Sequence, residues 1–208
     1  ILGENPPRGG QIYRAIATTP LKEPRLLGAD YWHGASLVEA ARASGALHLH
    51  GATVWSLDRE RTLGVSIGGK ARMVKARRVI LATGALERPF PVPGWTLPGV
   101  MTAGGAQTVL KTSGLVPEGR VVDTTDAAHR RAALSRAAGF ALSPYLAKGL
   151  QLLASVRRRV SVISGIHELG IEGRDKAEMV VARTRSGIAH RIPADVVLLH
   201  QGVVPNTN

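Results

Sequence analysis

Cysteine is absent from the chain, which excludes a disulfide framework, a thiolate metal site and redox chemistry through a Cys pair. Aromatic residues make up only 4%, too few to build stacking platforms for nucleic-acid bases. No apolar run approaches the ~20 residues that a membrane-spanning helix requires. The first seven residues, ILGENPP, lack the basic stretch and apolar core of a signal peptide, and a cytoplasmic protein is expected. There is no initiator Met, and the chain starts in the character of a strand, so it reads as a fragment. Acidic residues are also short: 15 against 27 basic ones, a net charge of +12 over 208 residues. The basic residues are scattered, with one tight run at Arg157-Arg158-Arg159. That disfavours a nucleic-acid surface and suits attraction of a phosphate-rich cofactor or an acidic partner subunit.

What is present is organised around residues 77–89, RRVILATGALERP. Val79, Ile80, Leu81 and Ala82 form a continuous apolar run, which predicts a strand buried on both faces. It ends at Thr83-Gly84 and enters a Pro-rich loop, 89–98, that continues neither strand nor helix. Ligands in α/β folds sit just beyond the carboxyl end of such a strand. A second stretch with the same plan, Asp195 to His200, leads into Gly202 and Pro205. Its recurrence predicts two related α/β domains, 1–116 and 117–208, each with a β-meander.

Between these landmarks the periodicity predicts a helix from Trp32 to Gly45, capped by Ser36. Short strands follow at 46–50, 52–57, 64–67 and 72–74, then a helix from Thr102 to Thr112. The second half predicts a strand at 119–122, helices at 127–138 and 144–156, and strands at 160–163, 168–172, 178–183 and 190–192. His48 and His50 would share one strand face, but no third ligand is evident and no metal is expected. Near the start, Glu4 lies just past a strand, where a carboxylate hydrogen-bonds a ribose in dinucleotide-binding folds. Gly9-Gly10 permits close passage of backbone past a ligand. The alternative for this stretch is a plain surface turn. No G-x-G-x-x-G occurs anywhere.

Four motifs taken together carry a family resemblance: GGQIYR at 9–14, ATGALERP at 82–89, PGWTLPGV at 93–100 and HQGVVPNT at 200–207. In that order they resemble the FAD-containing subunits of opine oxidases, with hydrogen cyanide synthase and proline or hydroxyproline dehydrogenases as related members. All are two-dinucleotide-binding-domain flavoproteins. The resemblance implies two Rossmann-like FAD/NAD(P)-binding domains and FAD as cofactor. It implies that Glu4 meets the adenosine ribose, that Gly9, Gly10 and Gln11 pass the pyrophosphate and approach the isoalloxazine, that Thr53 and Val54 meet the adenine, and that Thr83 and Gly84 make a second FAD contact. It further implies oxidation of an amine, amino-acid or opine C–N bond and a second flavoprotein subunit.

Two departures stand against it. The Gly-rich strand-turn-helix that should precede Ile1 is missing, and so is the one expected between Val122 and Asp123. An incomplete pair of domains follows, and with it an alternative reading as a non-catalytic interaction or assembly module. No residue qualifies as a catalytic acid or base. His33 and His200 come nearest, and a structural or surface role suits each better.

Overall fold

In the computed structural model, residues 1–125 and 146–206 are described. The chain divides into two units: Ile1–Leu86 with Gly104–Val116 and Val204–Asn208, and Glu87–Ala103 with Pro117–Val203.

The first unit opens with a short strand, β1 (Leu2–Gly3), parallel to β2 (Leu49–His50). Between them run three helices, α1 (Pro24–Leu27), α2 (Ala29–Trp32) and α3 (Gly34–Ala43). Helix α3 begins two residues before the expected cap. Ser36 lies inside it and donates its hydroxyl to the His33 carbonyl at 2.8 Å. Its stop is as the sequence indicates, at Gly45 with φ 69°.

The meander is β3 (Ala52–Leu57), β4 (Thr62–Ile67) and β5 (Lys70–Lys75), antiparallel throughout. Asp58 fixes the first hairpin because its carboxylate accepts from the Glu60 and Thr62 N–H groups at 2.9 and 2.8 Å. Ala52, Leu63 and Val65 form the buried core, with Leu2, Leu49, Ile67, Ala76 and Val79 packed on it.

The run at 77–83 departs from expectation. Residues 76–84 form no strand, and Ile80 and Leu81 are 90% and 71% exposed. Only Val79 reaches the core. An apolar run is buried on both faces only where strands flank it, and none flanks this one among the described residues. The chain regains strand at β6 (Ala85–Glu87), which pairs with β13 (Val203–Pro205). Helix α4 (Ala103–Ser113) matches the expected helix within a residue at each end.

In the second unit a parallel sheet holds β7 (Val100–Thr102), β12 (Val196–His200) and β8 (Val121–Thr125), with β12 in the centre. Here the apolar plan is obeyed: Val197 is fully buried and Leu199 nearly so. An antiparallel sheet, β9 (Ile166–Glu172), β10 (Met179–Thr184) and β11 (Ala189–Pro193), forms the unit's meander. Val180, Ile171, Ala177 and Ala194 join Val197 and Leu199 in one core, covered by Phe90, Val92, Leu97 and others. Helix α5 (Leu146–Arg159) corresponds to the expected helix at 144–156. The strand expected at 160–163 is irregular and exposed, with Val160 and Val162 at 56% and 68%. Val160 and Val162 would share one strand face, but no strand lies beside them among the described residues to cover it. The helix expected at 127–138 lies outside the described residues.

Candidate functional site

The loop from Glu4 to Ile16 leaves β1 and returns in a tight turn that the sequence makes possible at Gly9. Its φ is 121°, and a Cβ there would come within 2.7 Å of the Tyr13 carbonyl oxygen. That closeness is what lets the Tyr13 N–H bond the Gly9 carbonyl at 3.0 Å. At Gly10 the situation is opposite: φ is 55° and a Cβ would meet nothing within 4 Å, so the turn has an open side there. The N–H groups of Gly10, Gln11 and Ile12 have no protein partner among the described residues.

Side chains brace the loop. Gln11 accepts from Arg14 Nε at 3.0 Å, and Arg14 also reaches Asn5 at 3.4 Å. The Glu4 carboxylate accepts from the Thr53 hydroxyl at 3.1 Å, and its carbonyl accepts from the Gly51 N–H at 3.2 Å. Glu4 and Thr53, 49 residues apart, are thereby brought side by side. Arg8 has a buried Nε without a hydrogen-bond partner, and a buried donor left unpaired carries a desolvation penalty until something accepts from it. His48 stands near this cation. Burial, and secondarily the Arg8 charge, lower its pKa from the ordinary value, which favours the neutral ring. His48 and His50 have ring centroids 6.4 Å apart, and no cluster of three metal-binding side chains is found among the described residues.

Of the residues singled out from sequence, Glu4 and Thr53 bond each other directly, while Gly9, Gly10 and Gln11 belong to the loop that follows Glu4, with Gln11 braced by Arg14 and Gly9 by Tyr13. Val54 lies next to Thr53 on β3, opposite Val65. Thr83 and Gly84 belong to another part of the unit: the Gly84 carbonyl accepts from the Asn206 N–H at 3.0 Å. No hydrogen bond links them to the Glu4 network among the described residues. In the second unit His200 Nδ1 lies 3.0 Å from Glu87 Oε1, so a largely buried carboxylate orients this imidazole. His33 sits at the start of α3.

Sequence reasoning passed over Arg8, Asn5, Arg14 and Lys111. Arg8 had a readable signal, a cation directly before the Gly pair. Lys111 had a fainter one, the single charged residue of its helix, four places after Gln107 and directly after Leu110. Lys111 is only 9% exposed. Chemically, the cluster offers a carboxylate and hydroxyl for a diol, and a cation with free N–H groups for an anion. An adenosine diphosphate moiety presents both.

Known proteins share this chain's sequence from end to end. An opine oxidase subunit of Agrobacterium tumefaciens (strain Ach5) is 43% identical over 242 residues, covering 100% of this chain and 48% of that protein. The Rhizobium meliloti protein of the same description is 41% identical, covering 100% of this chain and 46% of that protein. The chain is a homologue of these opine oxidase subunits along its whole length.

It spans about half the length of these relatives. The matched stretch of 242 residues exceeds the 208 of this chain by 34, so the relatives carry internal residues with no counterpart here. Hydrogen cyanide synthase subunit HcnB of Pseudomonas aeruginosa is 33% identical over 117 residues, 53% of this chain and 24% of that protein. No protein-family model matches the chain. Among solved structures, Lactococcus lactis thioredoxin reductase superposes with a TM-score of 0.59 at 18% identity, over 98% of this chain and 69% of that one. L-proline dehydrogenase from P. horikoshii gives 0.58 at 18% identity, over 100% of this chain and 37% of that one. At such identity the likeness is one of fold alone.

Proposed function

We propose that the chain is part of an FAD-dependent oxidoreductase subunit that acts on the C–N bond of an amine, amino acid or opine. The observation that supports it most is the polar cluster of the first unit: the Glu4–Thr53 pair, the unpaired Nε of Arg8 and the free N–H groups of Gly10 to Ile12. A dinucleotide satisfies all of them at once. Homology to a protein described as an opine oxidase subunit supports the substrate class and a multi-subunit assembly. In this reading residues 1–116 supply the FAD half and residues 117–208 an NAD(P)-type half.

When bound, FAD supplies a two-electron acceptor for hydride leaving the carbon that bears nitrogen. The chain's own residues bind and orient. Glu4 accepts hydrogen bonds from the adenosine ribose, and Thr53 holds its carboxylate in place. Gly9, Gly10 and Gln11 bring backbone close to the pyrophosphate, and Arg8 adds a charge-assisted donor there. Val54 presents backbone toward the adenine, and Thr83 with Gly84 closes a second contact. A second flavoprotein subunit completes the enzyme.

The test is a titration of the purified chain with FAD, followed by flavin fluorescence, with opines and amino acids then screened for flavin bleaching under anaerobic conditions. Saturable uptake of FAD and bleaching by one of these substrate classes are expected. Absence of uptake would leave the chain as an interaction or assembly module.

A further inference from the structure

The cation of Lys111 sits inside the first unit without a carboxylate near it among the described residues. Its Nζ donates to the Ile12 carbonyl at 3.1 Å, to Gln107 Oε1 at 3.3 Å and, at the limit of a hydrogen bond, to the Gln11 carbonyl at 3.5 Å. It also lies 5.5 Å from the centroid of the Tyr31 ring, within reach of a cation–π attraction. Tyr31, itself buried, donates its hydroxyl to the Arg14 carbonyl at 2.8 Å. Three carbonyls of one short turn are therefore drawn toward two side chains from α4 and α2.

Peptide geometry gives this gathering a consequence. In a trans peptide the C=O and the following N–H point in opposite directions, and no cis peptide occurs here. Anchoring the Ile12 carbonyl on Lys111 aims the Tyr13 N–H the other way, onto the Gly9 carbonyl that it bonds at 3.0 Å. Anchoring the Gln11 carbonyl likewise turns the Ile12 N–H away from the ammonium. The Gln11 and Ile12 carbonyls are thus held toward the protein, and the Ile12 N–H, like those of Gly10 and Gln11, stays unspent.

We propose that Lys111 is the positioning residue of the Gly9–Arg14 turn: it gathers the turn's carbonyls so that its free N–H groups face an anionic ligand, the pyrophosphate of FAD. The last part of this rests on the flavin reading above, and the tether itself does not. Burial, and secondarily the Arg14 charge, lower the Lys111 pKa from its ordinary value. A cation kept in such surroundings is worth its desolvation where it organises several dipoles at once.

The experiment compares the wild-type chain with Lys111→Met and Lys111→Arg by amide hydrogen exchange resolved at Tyr13, without FAD. Exchange at Tyr13 is expected to speed up about tenfold or more in Lys111→Met, with the meander amides unchanged, and to be restored in Lys111→Arg. Unchanged exchange in Lys111→Met overturns the proposal. Should that variant fail to fold, the wild-type protein decides: side-chain ammonium protons of Lys111 protected from solvent support the tether, and freely exchanging ones overturn it. With FAD, Lys111→Met is expected to bind about tenfold more weakly, and equal affinity removes the ligand-facing half of the proposal. A wild-type chain that takes up no FAD overturns the flavin reading, while the exchange comparison still decides the tether.

Discussion

Glu4 shows how much a single side chain can carry in this molecule. The residue is exposed to solvent, and its carboxylate is held by the Thr53 hydroxyl. Glu4→Gln keeps the shape and removes the charge that strengthens hydrogen bonds to ribose hydroxyls. The expected loss is about 1.5 kcal/mol in FAD binding, a little over tenfold in Kd, with an unchanged melting temperature. A fluorescence titration of the variant against wild type reads it. Arg8→Met is expected to weaken FAD to a similar degree and to raise stability slightly, because it deletes a buried donor that has no partner in the free protein. Titration and thermal melting together separate the two effects. These residues differ in legibility. The place of Glu4 after a strand and the missing Cβ of the Gly pair are local properties that a sequence displays directly. Thr53's bond to Glu4 and the Lys111 contacts depend on which distant segments meet, 49 and about 100 residues away in sequence.

Among the elements, the two apolar runs are the instructive pair. Residues 79–82 and 196–199 share one pattern, yet Val197 and Leu199 are buried while Ile80 and Leu81 are exposed. The difference lies in neighbours: β12 runs between β7 and β8, and residues 79–82 run beside no strand among those described. Apolar periodicity states what a segment needs, and supply comes from elsewhere in the chain. The meander strands, by contrast, were legible to within two residues at each end, because Asp58 and the Gly68-Gly69 pair encode the first meander's turns locally.

In the second unit two elements are locked by features that mutation can probe. At Gly94 φ is 80°, and a Cβ would collide with the Ile171 carbonyl oxygen, so Gly94→Ala is expected to cost about 1–3 kcal/mol, read by chemical denaturation. Asp195 accepts from the Arg120 backbone N–H at 2.9 Å and from its guanidinium at 2.9 and 3.1 Å. These bonds hold its pKa well below the ordinary 3.8. A depressed carboxylate pKa means that the folded state binds the proton less readily than the unfolded one. Its contribution is therefore full above the ordinary value and declines as the pH falls below it. Asp195→Asn is expected to lower the melting temperature at neutral pH and to flatten the part of the acid decline that lies below about pH 4. Melting curves across that range check it.

For the whole molecule, the exposed run at 80–81 and the strong positive charge pull in opposite directions. Contiguous exposed apolar residues invite association, while a net charge of +12 opposes it at low salt. The chain is therefore expected to self-associate as salt rises, and the double variant Ile80→Gln, Leu81→Gln is expected to suppress this while shifting stability by no more than ~0.5 kcal/mol. Light scattering against salt, with melting curves alongside, reads both. The α/β fold class was legible, and in the second half the plan of meander, buried strand, Gly turn and Pro holds, whereas in the first half residues 76–84 form no strand. The discontinuous composition of the two units was not, because residues 104–116 and 204–208 rejoin the first unit only in space.

Whether the Glu4 to Ile12 loop cradles a flavin dinucleotide is decided by one spectrum. The purified chain is mixed with FAD, desalted and examined in the visible range, with Glu4→Gln treated in parallel. Retained flavin bands in the wild type, reduced in the variant, are the expected result. A colourless wild-type protein, or bands of equal strength in both, would contradict it.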